Sequence, residues 1–206
     1  MGFYENKILP RIIECGCGQA AITEQRLKVV PKAEGVVLEI GVGTGHNLPL
    51  YDGAKVRKLY ALDPSEASWE IARPRAAPLS FPVEFIGLPG ERIPLEDESV
   101  DTVLVTFSLC TIPDPLAALQ GMRRVLKPEG QLLFSEHGAS PDQSVRRWQN
   151  RINPIWKRLF GGCNLNRPMP DLIRRGGFRI SELNARYLDR APRFAGYMYW
   201  GSADRG

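Results

Sequence analysis

From residue 36 onward the chain alternates short apolar runs with stretches of helical periodicity. Val36-Val37-Leu38-Glu39-Ile40 runs into glycines, Leu59-Tyr60-Ala61-Leu62 into Asp63-Pro64, and Val83-Glu84-Phe85-Ile86 into Gly87. Thr102 to Phe107 is nearly all apolar or β-branched, and Gln131-Leu132-Leu133-Phe134-Ser135 follows a Pro-Glu-Gly turn. Continuous apolar strands of this length suit a parallel sheet covered on both faces. Between them Ser65 is placed to cap a helix, and Asp114-Pro115 opens another in which Leu116, Leu119, Met122, Val125 and Leu126 share a face. The pattern predicts a doubly wound α/β domain.

The two ends read differently. Residues 1–34 are predicted to form a helical cover, with Ile8, Leu9, Ile12 and Ile13 followed by a more polar helix that runs into Val29-Val30-Pro31. Residues 35–139 would be the ligand-binding core. Residues 140–176 form a lid, with a long helix to Phe160, a loop from Gly161 to Pro170 and a short helix ending at Gly176-Gly177. Residues 177–206 would supply the last two strands, Phe178 to Leu183 and Phe194 to Gly201. With no internal repeat or linker, the 206 residues are read as one domain.

Composition narrows the class. The chain is 43% hydrophobic and 24% charged, as folded soluble proteins are. Its net charge of +4 comes without any block of like charges, so a nucleic-acid partner is not expected. No apolar run approaches the roughly 18 residues a membrane span needs. Glu5, Lys7, Arg11 and Glu14 interrupt the early apolar residues, so neither a transmembrane segment nor a signal peptide is expected and the predicted location is cytoplasmic. Cys15, Cys17, Cys110 and Cys163 form no Cys-x-x-Cys pair, and His46 and His137 are the two histidines, so no metal site is predicted, a three-thiolate site for a soft metalloid being the alternative.

The densest chemistry lies in Glu39-Ile40-Gly41-Val42-Gly43-Thr44-Gly45-His46-Asn47. Glycines at a strand end let backbone approach a ligand where a Cβ would clash, and the helix expected to follow would add unpaired N–H groups. A dinucleotide loop would need glycine where His46 stands, which disfavours a nicotinamide oxidoreductase. About 20 residues on, Asp63 closes the second strand, where a carboxylate can accept both hydroxyls of a ribose. Glu39 is either a buried acid bonded to loop amides or a group facing a ligand's amino nitrogen.

This arrangement resembles the class I S-adenosylmethionine-dependent methyltransferases over nearly the whole chain. Glu39-x-Gly41-x-Gly43-x-Gly45 is similar to their first motif, Asp63 to their second-strand acid, Asp101 to the acid opening the fourth strand, and Leu126-Lys127-Pro128-Glu129-Gly130 to their turn before the fifth. The resemblance implies a Rossmann-like, seven-stranded, mostly parallel sheet with an antiparallel last strand and helices on both faces. It also implies S-adenosyl-L-methionine as cofactor, leaving S-adenosyl-L-homocysteine. The residues expected to hold it are Glu39, Gly41, Gly43, Gly45, His46, Asn47, Asp63, Pro64, Gly90, Glu91 and Thr106. Many relatives read adenine with an Asp-Ala-Glu; Pro89-Gly90-Glu91 stands there instead, which points to backbone contacts from Gly90.

A narrower resemblance, to alkyl-thiol S-methyltransferases and their soluble bacterial relatives, rests on several short matches. They are Pro89-Gly90-Glu91, Leu109-Cys110, Glu136-His137, Trp148-Gln149, Pro154-x-Trp156-Lys157 and Gly162-Cys163-x-Leu165. It implies a small, fairly apolar acceptor, a thiol first, with a lipid amine, a quinone-type phenol or cofactor binding without turnover as alternatives. His137, just after the fifth strand, is the candidate base, against a purely structural histidine. His46 is expected to pack over the cofactor, and Cys110 and Cys163 to be structural. No Asn-Pro-Pro-Tyr follows the fourth strand, which argues against methylation of a base or glutamine amino group. In segment 144–160, Trp148, Ile152, Ile155, Trp156 and Leu159 are read as a stripe that packs on the domain. Arg146, Arg147, Arg151, Lys157 and Arg158 surround it, Pro154 is expected to kink it, and peripheral membrane contact is the second reading.

Overall fold

A computed structural model describes residues 18–189 and 191–206. The helix predicted around Ile8 to Ile13, with Cys15 and Cys17, lies outside the described residues. The described elements begin with α1 (Ala20–Leu27), β1 (Gly35–Ile40), β2 (Val56–Leu62), α2 (Glu66–Ala76) and β3 (Val83–Ile86). They continue with β4 (Val100–Thr106), α3 (Pro115–Val125), β5 (Leu126–His137), α4 (Gln143–Leu159), α5 (Met169–Arg175), β6 (Arg179–Tyr187) and β7 (Tyr197–Asp204).

The seven strands form one sheet in the order β3-β2-β1-β4-β5-β7-β6. Neighbours are parallel from β3 to β5, and β7 runs antiparallel to both β5 and β6. The unbroken apolar strands are explained by alternation. Leu38, Val103, Val105, Leu132 and Phe134 join the core on one face, while Val37, Leu104 and Leu133 join the core on the other. Helix α3 starts where its sequence predicts: Asp114 Oδ1 accepts from the N–H groups of Leu116 and Ala117, and Pro115 has no N–H left to satisfy. Chain order reverses between β1 and β4, which places a ligand crevice beyond their carboxyl ends.

Three expectations are corrected. No α-helix follows the glycine loop. The connection from Gly41 to Lys55 holds only a 3-10 turn at Leu48–Leu50, whose Leu48 is buried in the core that Trp69 of α2 also joins. Helix α4 does not bury its apolar stripe. Val145, Gln149, Ile152, Asn153 and Trp156 are the covered positions, while Trp148, Ile155 and Leu159 remain 62%, 67% and 55% exposed. Strands β6 and β7 extend beyond the predicted runs because their ladder pairs Arg179 with Asp204 and Tyr187 with Tyr197. Half of β6 is polar edge strand that no apolar run marks. Among the described residues no helix is long and apolar enough to cross a membrane.

Candidate active site

A cavity of about 720 Å³ opens at the carboxyl ends of β1, β2 and β4, within the size range of small-molecule sites. Gly41, Gly43 and His46 line it from the glycine loop, Asp63 and Pro64 from the end of β2, Gly90 and Glu91 from the loop after β3, and Thr106 from the end of β4. Those eight predicted residues are brought to one wall. Glu39, Gly45, Asn47 and His137 are not among the lining residues, and each has a different place.

Gly43 adopts φ +52°, and a Cβ added there would meet nothing within 4 Å. Its free side is therefore open space on the cavity wall, where a ligand can approach the backbone. Gly41, at φ +75°, allows β1 to end against the loop after β4, since a Cβ would fall 2.1 Å from Ser108 Oγ. Gly45 serves packing instead, close to Leu48 and Ala72. Asp63 is anchored by two backbone donors: Gly43 N–H to Oδ2 at 2.9 Å and Ser65 N–H to Oδ1 at 2.8 Å. Burial pushes its carboxyl above the ordinary value despite those bonds.

Behind the wall lies a buried polar network. Glu39 accepts from Asn47 Nδ2 at 2.8 Å and from Tyr51 OH at 2.7 Å, so its carboxylate holds side chains rather than loop amides. Burial raises the Glu39 carboxyl, and burial together with Glu39 raises Tyr51 well above its usual value. Asn47 also donates to Thr106 Oγ1 at 2.9 Å. Arg26, which sequence reasoning missed, completes the network. Its Nη1 donates to Asn47 Oδ1 at 2.9 Å and Thr106 Oγ1 at 2.7 Å, and its guanidinium lies 4.9 Å from the Phe107 ring centroid. Arg26 lines the cavity, so a buried cation from α1 faces the end of β1. Helix α1 carries no sequence motif that singles it out.

The loop after β4 is shaped from beneath. Phe107 sits at φ +54°, an uncommon conformation for a non-glycine residue. Buried Glu136 fixes the next three residues, accepting from the N–H groups of Ser108 at 2.6 Å, Leu109 at 2.9 Å and Cys110 at 3.3 Å. Burial raises its carboxyl. The loop between α4 and α5 is tied to the same segment, since both the backbone N–H and Nδ2 of Asn164 donate to the Cys110 carbonyl. Gln149, the buried residue of α4, donates to the carbonyls of Gly138, Leu165 and Phe194 and accepts from Ser140 N–H.

His137 lies beside the loop between α4 and α5, off the cavity wall, because β5 carries it one strand beyond the crevice. Its Nε2 is 3.2 Å from Cys163 Sγ, which also accepts from Trp156 Nε1 at 3.4 Å. Burial lowers the imidazole pKa, but Cys163 and Glu136 outweigh that and leave it above the ordinary value. Contact with Cys110 and burial push the Cys163 thiol up.

Residues 38–134 match the methyltransferase-domain family. The chain is 38% identical over 149 residues to the human thiol S-methyltransferase TMT1B, an alignment covering 69% of this chain and 60% of that protein. The chain belongs to the class I methyltransferases. It is also 32% identical over 168 residues to human thiol S-methyltransferase TMT1A, covering 79% of this chain and 66% of that protein. A SAM-dependent methyltransferase structure from Aquifex aeolicus has the same fold, with TM-score 0.65 and 21% identity over 96% of this chain and 98% of the other. The chain spans only 60% and 66% of the length of these two thiol methyltransferases.

The family's cofactor is S-adenosylmethionine, and the residues present fit it. Among the described residues the buried Glu91 Oε2 has no hydrogen-bond partner, and Glu91 lines the cavity. An unmatched carboxylate oxygen suits the exocyclic amino group of adenine. Asp63 suits a ribose diol, and the open side of Gly43 together with Arg26, which lines the same cavity, suits an amino-acid tail with its carboxylate.

Proposed function

We propose that this chain transfers the methyl group of S-adenosylmethionine to a small, fairly apolar acceptor, and that the acceptor is a thiol. The observation that carries the reading is the convergence of Asp63, Arg26, Glu91 and the open face of Gly43 on one cavity at the switch in strand order. When bound, the cofactor supplies a sulfonium methyl that an acceptor can displace in one step. The chain's own contribution is to hold donor and acceptor in line and keep water out, which can lower a barrier by roughly 7–11 kcal/mol. Phe107, Thr111, Ile112, Pro113 and Gly161 also line the cavity and offer a mostly apolar surface against which an acceptor would lie. The thiol is supported by the similarity to proteins named thiol S-methyltransferases.

The acceptor proton needs no base on the cavity wall. A thiol of pKa about 8.5 is partly ionised near neutrality, and the thiolate is the nucleophile. His137, engaged with Cys163, is therefore a positioning residue in this reading. Calorimetry with the cofactor and its demethylated product, followed by turnover on a panel of thiols, lipid amines and hydroquinones, tests the proposal. Methylated thiol is the expected product. Tight binding with no product from any acceptor would favour cofactor binding without catalysis.

A further inference from the structure

Cys110, His137 and Cys163 come from three separate segments: the loop after β4, the end of β5 and the lid loop after α4. Their ligand atoms all lie within 4.8 Å of one another. We propose that these three side chains form a binding site for a thiophilic divalent cation of the zinc class.

The geometry is close to what such an ion needs. A zinc–sulfur bond of about 2.3 Å in a tetrahedron sets ligand atoms roughly 3.8 Å apart. His137 Nε2 and Cys163 Sγ, at 3.2 Å, already stand near that spacing. Closing the widest pair from its 4.8 Å limit takes a shift of about 1 Å. The donor set of two sulfurs and one imidazole selects zinc or cadmium over magnesium or calcium, which take oxygen. Glu136, the adjacent carboxylate, is held by three backbone N–H groups and so is not a competing oxygen ligand.

Charge also balances. Binding displaces one proton from each thiol, and two thiolates neutralise the dication, so no net charge is left in a largely buried place. Three protein ligands leave a fourth position for water or an exogenous thiol. The bound ion would staple the lid loop to the ends of β4 and β5, a role independent of methyl transfer.

The test uses the full chain, reduced and stripped with a chelator. Zinc should be retained at one ion per chain after gel filtration, and cobalt should give a thiolate charge-transfer band. Zinc should also raise the melting temperature by mass action and protect Cys110 and Cys163 from alkylation. Changes to groups behind a metal's ligands cost 10–100-fold in affinity, so Cys163→Ser or His137→Gln should weaken binding by more than about 100-fold. The double change Cys15→Ser with Cys17→Ser should leave binding intact. Because Cys110 is buried in the core, the half-buried Cys163 and His137 variants are the deciding ones. Zinc not retained at micromolar concentration, or retained equally by Cys163→Ser, overturns the proposal.

Discussion

Replacing Asp63 by Asn removes a charge while keeping the side chain's shape, and the structure sets how much this should matter. Both fixed partners of the carboxylate, Gly43 N–H and Ser65 N–H, are donors. An amide has one acceptor oxygen, so its NH₂ would face one of those donors, and the oxygen would be shared between backbone and ribose. Hydrogen bonds to a charged acceptor contribute about 1.5–3 kcal/mol each against about 0.5–1.5 for neutral ones. Losing the charge and one acceptor toward a diol therefore costs roughly 2–4 kcal/mol, or about 30- to 1000-fold in Kd. Titration calorimetry with S-adenosylhomocysteine reads this directly, while circular dichroism reports whether the fold is kept. A 2′,3′-dideoxy analogue should lose similar affinity for the native chain and little more for the variant. If the variant binds within three-fold of native, or the two losses simply add, the sugar does not sit on Asp63.

The pH dependence of binding has a definite sign. Burial raises the Asp63 carboxyl in the folded chain, so cofactor affinity should fall as pH falls through that raised value. For folding alone the same shift works oppositely: the group's contribution declines as pH rises from the ordinary 3.8 through the raised value.

Arg26→Met should weaken binding of S-adenosylhomocysteine by about tenfold or more but spare 5′-methylthioadenosine, which lacks the carboxylate; equal losses would remove Arg26 from the tail. Glu39→Gln, facing two donors with one acceptor, should cost about 1–3 kcal/mol, a melting temperature lower by about 2–12 °C by calorimetry. An unchanged melt would contradict the network. With thiol acceptors, kcat/KM should rise with pH to a midpoint that follows each acceptor's own thiol pKa. A midpoint shared by all acceptors, and lost in His137→Gln, would make His137 the base after all.

The core of the fold was legible because a buried parallel strand must be apolar on both faces, and five such runs stand in the sequence. Asp114-Pro115 and Ser65 were equally readable, since a cap acts on residues two or three positions away. The missing helix after the glycine loop was not, because Leu48 and Tyr51 bury themselves through contacts with distant elements. The stripe on α4 misled for a related reason: periodicity shows which residues share a face, not whether that face meets the domain.

At the candidate site, local sequence determined what depends on backbone and chain neighbours, namely the glycine turn and the carboxylate that closes β2. Arg26, Glu136 and Gln149 belong to a different order of information. Each acts on residues far along the chain, Arg26 on Thr106 and Gln149 on Phe194, and local sequence does not reveal those partners. The gathering of Cys110, His137 and Cys163 is the clearest case, since their spacing matches no zinc signature. Only the sheet, by setting β4 beside β5 and folding the lid loop over both, brings two sulfurs and an imidazole to one point.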